Sequence, residues 1–148
     1  MLRGTHLSAP RAAARACRLV VAGGAAATIV LAPSPASAAN VTRASGPLTA
    51  TLTASTHTPK INVDMTIAVT ATLNGKPAHS TIIYQYLFAG AVVSTRYPCK
   101  GKACTFTGHY RDTLTFPPAS VGTALTLQVV VKAAGRTVKL SWAITSHK

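Results

Sequence analysis

Residues 123–145, TALTLQVVVKAAGRTVKLSWAIT, alternate apolar and polar side chains with a period of two along both arms of the stretch. Leu125, Leu127, Val129 and Val131 share one face of the first arm, and Thr126, Gln128 and Lys132 share the other. In the second arm Val138, Leu140, Trp142 and Ile144 alternate with Thr137, Lys139, Ser141 and Thr145. Successive side chains of a strand point to opposite faces, so this period predicts two strands, each with one buried face, reversing at Gly135. A two-stranded ribbon cannot bury its own apolar face in water. The rest of the chain must therefore supply a second layer.

The upstream sequence carries the same period. Leu48, Ala50, Leu52 and Ala54 alternate with Thr49, Thr51 and Thr53, predicting a strand over 48–54. A longer strand is expected over 63–73, where Val63, Met65, Ile67, Val69, Ala71 and Leu73 share a face. Asn74-Gly75 and Pro77 end it, since Gly relieves the turn geometry and Pro removes a ladder donor. Residues 81–88 are apolar on both faces, as in a strand with neighbours on either side or cover on both faces. Further strands are expected over 91–97, 105–110 and 112–116, with a loop over 98–104 and a stop at Pro117-Pro118. Residues 40–47 are polar and without period, and read as a short flexible leader. No helical period occurs after residue 39. Seven or eight short, evenly spaced strands predict an all-β antiparallel sandwich over 48–148.

Two segments, VDMTIAVTATLNGKPAHSTIIYQYLFAG and DTLTFPPASVGTALTLQVVVKAAG, resemble the immunoglobulin-like modules of bacterial secreted and surface proteins. In such modules a long strand ends at a Gly-x-Pro-type turn, an aromatic strand ends in a Gly turn, and a Pro-to-Gly corner leads into the longest strand. The resemblance implies an immunoglobulin-like, fibronectin III-like sandwich. It does not extend to the inter-sheet cysteine pair of antibody domains, which has no counterpart here. A fold of this kind hosts many functions and implies none by itself.

Residues 1–39 have the order of a cleaved signal peptide of the Sec type. Arg3, Arg11, Arg15 and Arg18 precede an apolar run of 14 residues, and Ala36-Ser37-Ala38 follow it. That run is short of the roughly 20 residues a membrane span requires, so the protein is expected to be secreted. The remaining chain holds eleven Lys and Arg against two carboxylates, Asp64 and Asp112, a formal charge of +9. Such a surface is drawn to polyanions, and the same charge also serves solubility. Without an arginine-rich run or basic-aromatic interleaving, nucleic acid is not the expected partner. Cys99 and Cys104, with four residues between them, are expected to form a disulfide in an exported protein.

Sites of catalysis are not in evidence. Paired-carboxylate chemistry would have only Asp64 and Asp112, both placed as solvated charges, and no serine stands in a Gly-x-Ser-x-Gly turn. His57, His79 and His109 lack metal-ligand spacing, although folding could bring them together. A glycine-rich phosphate loop is also missing after residue 39, and neither a metal nor a cofactor is among the expectations. Tyr84, Tyr86, Phe88 and Trp142 occupy alternate strand positions and are expected in the core. Two basic clusters remain: Arg96, Lys100, Lys102 and Arg111 around the bridged loop, and Lys132, Arg136 and Lys139 around Gly135.

The expected function is a secreted, non-enzymatic immunoglobulin-like binding or structural module. Its partner is an anionic cell-envelope polymer, held by Arg96, Lys100, Lys102 and Arg111, or another secreted protein. The alternatives are a small-molecule carrier with a pocket between the sheets, and a secreted inhibitor presenting the bridged loop to a hydrolase. Closing so short a loop contributes about 2 kcal/mol on the chain-entropy estimate. Reduction of the Cys99–Cys104 bridge is expected to lower stability by that amount in a denaturant titration while leaving the folded baseline intact.

Overall fold

The computed structural model describes residues 40–148, so the expected signal segment lies outside the described residues. The hairpin at the end of the chain forms as its alternation requires. Strand β9 (Ala124–Ala133) pairs with β10 (Arg136–Thr145) without a register shift, from Arg136 opposite Ala133 to Thr145 opposite Ala124. Ala134 and Gly135 both have positive φ, 48° and 71°, the two-residue turn whose twist matches that of paired strands. Trp142, Leu140, Val138, Leu127, Val129 and Val131 are all buried on the inner face.

Eight further strands complete two antiparallel sheets: β1 (Asn40–Ser45), β2 (Leu48–Ala54), β3 (Met65–Leu73), β4 (Lys76–Pro77), β5 (His79–Phe88), β6 (Ala91–Arg96), β7 (Cys104–Thr107) and β8 (His109–Leu114). The first sheet has the order β1-β2-β3-β8, with the two-residue β4 continuing that edge beside the end of β3. The second runs β10-β9-β5-β6, with β7 beside the start of β5. The described residues thus form a nearly all-β structure and pack as a β-sandwich. Leu48, Leu52, Ile67 and Val69 of the first sheet meet Ile82, Tyr84, Leu127 and Leu140 of the second. Strand β5 is flanked on both edges, in keeping with a sequence apolar on both faces.

The chain end closes one end of the sandwich. Ser146 and His147 lie between residues 57–61 and 120–122, with main-chain bonds from His147 to Pro59 O (3.1 Å) and from Gly122 to Ser146 O (2.9 Å). The buried Ser120 and Ser146 hydroxyls bond each other at 2.8 Å, so their burial leaves nothing unsatisfied.

Three expectations are corrected. Residues 40–47 are not a flexible leader, because Asn40–Ser45 forms β1 and pairs along its length with β2. Its side chains are mostly exposed, and Asn40 and Thr42 bond Thr53 and Thr51 across the pair. An edge strand that buries little carries no hydrophobic period. The break expected at Arg111 falls instead at Gly108, where the chain leaves β7 in the second sheet and enters β8 in the first. The ten strands among the described residues exceed the seven or eight expected, through β1 and the short β4.

The crossing at Gly108 is tight. Gly108 N–H donates to Ala78 O at 3.0 Å, and Gly108 O accepts from Ala71 N–H at 2.8 Å. Its φ is +69°, and a Cβ there would lie 2.8 Å from Pro77 Cβ. Gly108→Ala adds a left-handed penalty to an overpacked contact and is expected to cost about 2–4 kcal/mol. At Gly135 a Cβ meets nothing within 4 Å, so Gly135→Ala should cost only about 1 kcal/mol. Chemical denaturation of the two variants checks the contrast.

Candidate functional site

The four candidate polyanion-binding residues, Arg96, Lys100, Lys102 and Arg111, do not all lie on one face. Arg111 projects from the outer face of the first sheet, beside Thr53, Thr66 and Ala68. Arg96 ends β6 in the second sheet, opposite Tyr84, and reaches toward Tyr86 at the margin between the sheets. Lys100 and Lys102 stay together at the tip of the loop, where Cys99 and Cys104 are bonded as expected. The tip is itself a tight turn: Cys99 and Lys102 exchange main-chain hydrogen bonds of 3.1 and 2.9 Å, with Lys100 and Gly101 at positive φ. An open hollow of about 630 Å3 beside it is lined by Pro98, Cys99, Lys100 and Lys102.

What the tip leans on was not legible in the sequence. Tyr97 and Ala103, the residues flanking it, share a shallow groove of about 210 Å3 with Thr81, Ile83, Val130 and Lys132 on the outer face of the second sheet. Pairing places Lys139 on that face opposite Val130, and Lys132 opposite Thr81. The two clusters that are separate in sequence therefore adjoin, through Lys100 and Lys102 on one side and Lys132 and Lys139 on the other. Arg136 departs from its cluster: its guanidinium lies over the β1–β2 turn, within 2.6 Å of where a Gly46 Cβ would stand. Tyr97 is half-exposed among these lysines.

Electrostatically the molecule has two unlike halves. Strands β5, β6, β7, β9 and β10 and the bridged loop contain six Lys and Arg and no carboxylate. Asp112 lies in β8 of the first sheet and Asp64 immediately precedes β3, and both are engaged. Asp64 Oδ1 accepts from the Thr115 hydroxyl at 2.7 Å. Asp112, expected to be a solvated charge, instead points between the sheets: its Oδ2 accepts from the buried Tyr84 hydroxyl at 2.9 Å, and Tyr110 OH lies 3.5 Å from the same oxygen. Thr113 N–H donates to Oδ1 at 2.8 Å. Tyr110 OH also lies 3.6 Å from Cys104 Sγ, which ties the inner end of the bridge to this cluster.

The aromatic residues divide. Tyr84 and Trp142 are core, as expected, and Trp142 Nε1 donates to Thr56 O at 3.0 Å. Tyr86 is half-buried, and Phe88 is 51% exposed, which corrects its placement in the core. The strand runs past the end of the sandwich there, so continued alternation no longer means burial. The histidines do not converge. His57 stacks on Trp142 with ring centroids 4.0 Å apart and Nδ1 2.7 Å from Ala143 O. His79 meets Thr107, and His109 pairs across from Thr70 on the outer face of the first sheet. Among the described residues no group of three or more His, Cys, Asp or Glu side chains gathers into a metal site. No family model matches the chain, and no curated protein or solved structure matches it.

Burial pushes the Tyr84 hydroxyl far above its ordinary value, and Tyr110 and Asp112 add to the rise. Tyr110 is raised chiefly by burial, with the Tyr84 hydrogen bond opposing. Tyr86 is raised by burial while Arg96 beside it pulls the other way. Groups that titrate higher in the folded than in the unfolded chain stabilise fully below the unfolded value, about pH 10 for tyrosine. That stability is lost as pH climbs toward the folded values. The domain should therefore weaken above about pH 10, with tyrosinate absorbance appearing together with loss of near-ultraviolet circular dichroism. Tyr84→Phe should cost about 1 kcal/mol at neutral pH and make the alkaline decline shallower.

Proposed function

We propose that this protein is an exported, non-enzymatic immunoglobulin-like module that attaches to an anionic polymer of the cell envelope. The immunoglobulin-like assignment rests on strand order. Taking β2, β3 and β8 as strands A, B and E, and β5, β6, β9 and β10 as C, C′, F and G, the sheets read A-B-E and G-F-C-C′, the arrangement of that sandwich family. Export rests on the form of residues 1–39 and on the Cys99–Cys104 bridge, which suits an oxidising compartment.

The observation that carries the binding reading is the outer face of the second sheet. Lys100, Lys102, Lys132 and Lys139 are exposed on and beside it, and its strands supply no carboxylate to neutralise them. Lysines on paired strands and on a bridged turn are held by the fold, which lowers the ordering cost of meeting a long, repetitive anion. The attraction is electrostatic, so it needs no deep pocket and accepts a range of anionic polymers. This reading keeps Lys100 and Lys102 of the four residues singled out in the sequence and adds Lys132 and Lys139, which pairing places on the same sheet face.

Co-sedimentation of the purified protein with cell envelopes across a salt series tests this. Binding should weaken at least about tenfold from low to physiological salt as counterions screen the contacts. Lys100→Glu with Lys102→Glu, or Lys132→Glu with Lys139→Glu, should each weaken it comparably, and Arg111→Glu should leave it nearly unchanged. No binding at low salt, or an Arg111→Glu variant as defective as the others, would overturn the reading.

A further inference from the structure

The margin of the sandwich beyond Tyr84 and Tyr86 is open. Strands β1 and β10 lie against each other along one side, and the crossing at Gly108 joins the sheets on the other. Past that crossing β6 and the segment after β8 part, leaving a groove of about 380 Å3 with Val93 and Arg96 on one wall and Phe116 and Leu125 on the other. Tyr86 stands in it, edge-on to Phe116 with centroids 6.4 Å apart.

Val93, Phe116, Pro117 and Leu125 give the groove apolar walls, and Arg96 is the one charged residue of its lining. Register shifts between Tyr86 and Leu87 leave Val93 as the extra residue of a β-bulge, which turns a valine that is 59% exposed along the groove. Bulges of this kind re-aim side chains beside binding sites. Ser120 Oγ also lines the groove, but it is bonded to Pro117 O at 2.7 Å and to Ser146 Oγ. Asp112, the nearby carboxylate, is taken by Tyr84 and the Thr113 amide. Thr115 Oγ1 is bonded to Asp64. The polar groups left to meet a ligand are the Ser94 hydroxyl, the Arg96 guanidinium and the Tyr86 hydroxyl, all in the lining of the groove.

We propose that this groove binds a small amphiphile bearing one carboxylate. The carboxylate sits on the Arg96 guanidinium and accepts from the Tyr86 hydroxyl, and an aliphatic or aromatic body lies on Val93, Phe116 and Leu125. A guanidinium fork matches the two oxygens of a carboxylate. Burial keeps the Tyr86 proton in place as a donor. The volume is that of a small-ligand site. An extended peptide adding to the free edge of β6 suits the groove less well, because the bulge interrupts the ladder such a strand would join. The site is independent of the lysine face, which lies on the outer side of the second sheet.

The test is a calorimetric and NMR titration of the intact protein with octanoate, and with octanol as the uncharged control. Octanoate should bind saturably, with amide shifts confined to β6, residues 115–120 and the start of β9, and about tenfold more tightly than octanol, the worth of a charge-assisted hydrogen bond. Arg96→Gln, at an exposed position, should keep the melting temperature and erase the preference for the acid. Val93→Asp should weaken both probes. Equal affinity for acid and alcohol, an Arg96→Gln variant that keeps the preference, or shifts centred on Lys100 and Lys132 would overturn the proposal. So would a concentration-dependent dimer paired through β6 in place of saturation.

Discussion

The structure depends on one apolar layer closed between two sheets. Trp142 shows what that closure demands. Its indole is almost wholly buried on the inner side of β10, the largest of the fully buried side chains of the layer. The Nε1–H would be costly in such a place, and Thr56 O accepts it. His57 then stacks on the ring, its own Nδ1 within bonding distance of Ala143 O, so the loop after β2 is fastened to the last strand. Each fully buried Leu or Ile adds about 1.5–3 kcal/mol to the same layer. The turns, the bridge and the chain end hold this layer in register; they do not replace it.

Closing the layer also decides where charge can reside. Only two carboxylates are present, and one of them, Asp112, is taken inward and satisfied by tyrosine hydroxyls and an amide. That removes a counter-charge from the surface. The second sheet, which has no acid of its own, is left with lysines facing out. A basic exterior and a tyrosine-lined interior margin therefore arise from the same sheet, with Arg96 at their boundary.

Much of the fold was legible beforehand because period-two burial leaves its mark on residue order. Strand β2 has the limits its Leu-Thr-Ala alternation implies, and the β9–β10 hairpin turns at Gly135. Where burial lapses, so does the signal. Strand β1 is polar because it lies at an edge, and Phe88 keeps the alternation beyond the point where anything covers it. Gly108 gave no sign of its importance, since a change of sheet is a relation between strands and has no local pattern. The site was less legible than the fold. Lys100 and Lys102 are neighbours in sequence and remain so in space, whereas the adjacency of Lys132 to the bridged loop follows from pairing of β5 with β9.

The sequence by itself determined the class of structure, the buried face of each long strand, and the Cys99–Cys104 bridge, because these follow from local periodicity and short spacing. Only the tertiary structure decided which strands share a sheet, that Asp112 turns inward to Tyr84, that Arg111 and Arg96 part company, and that a groove opens beside Val93. Those outcomes depend on residues far apart in the chain meeting across a layer. The free energy of such a meeting belongs to the pair and is written in neither segment alone.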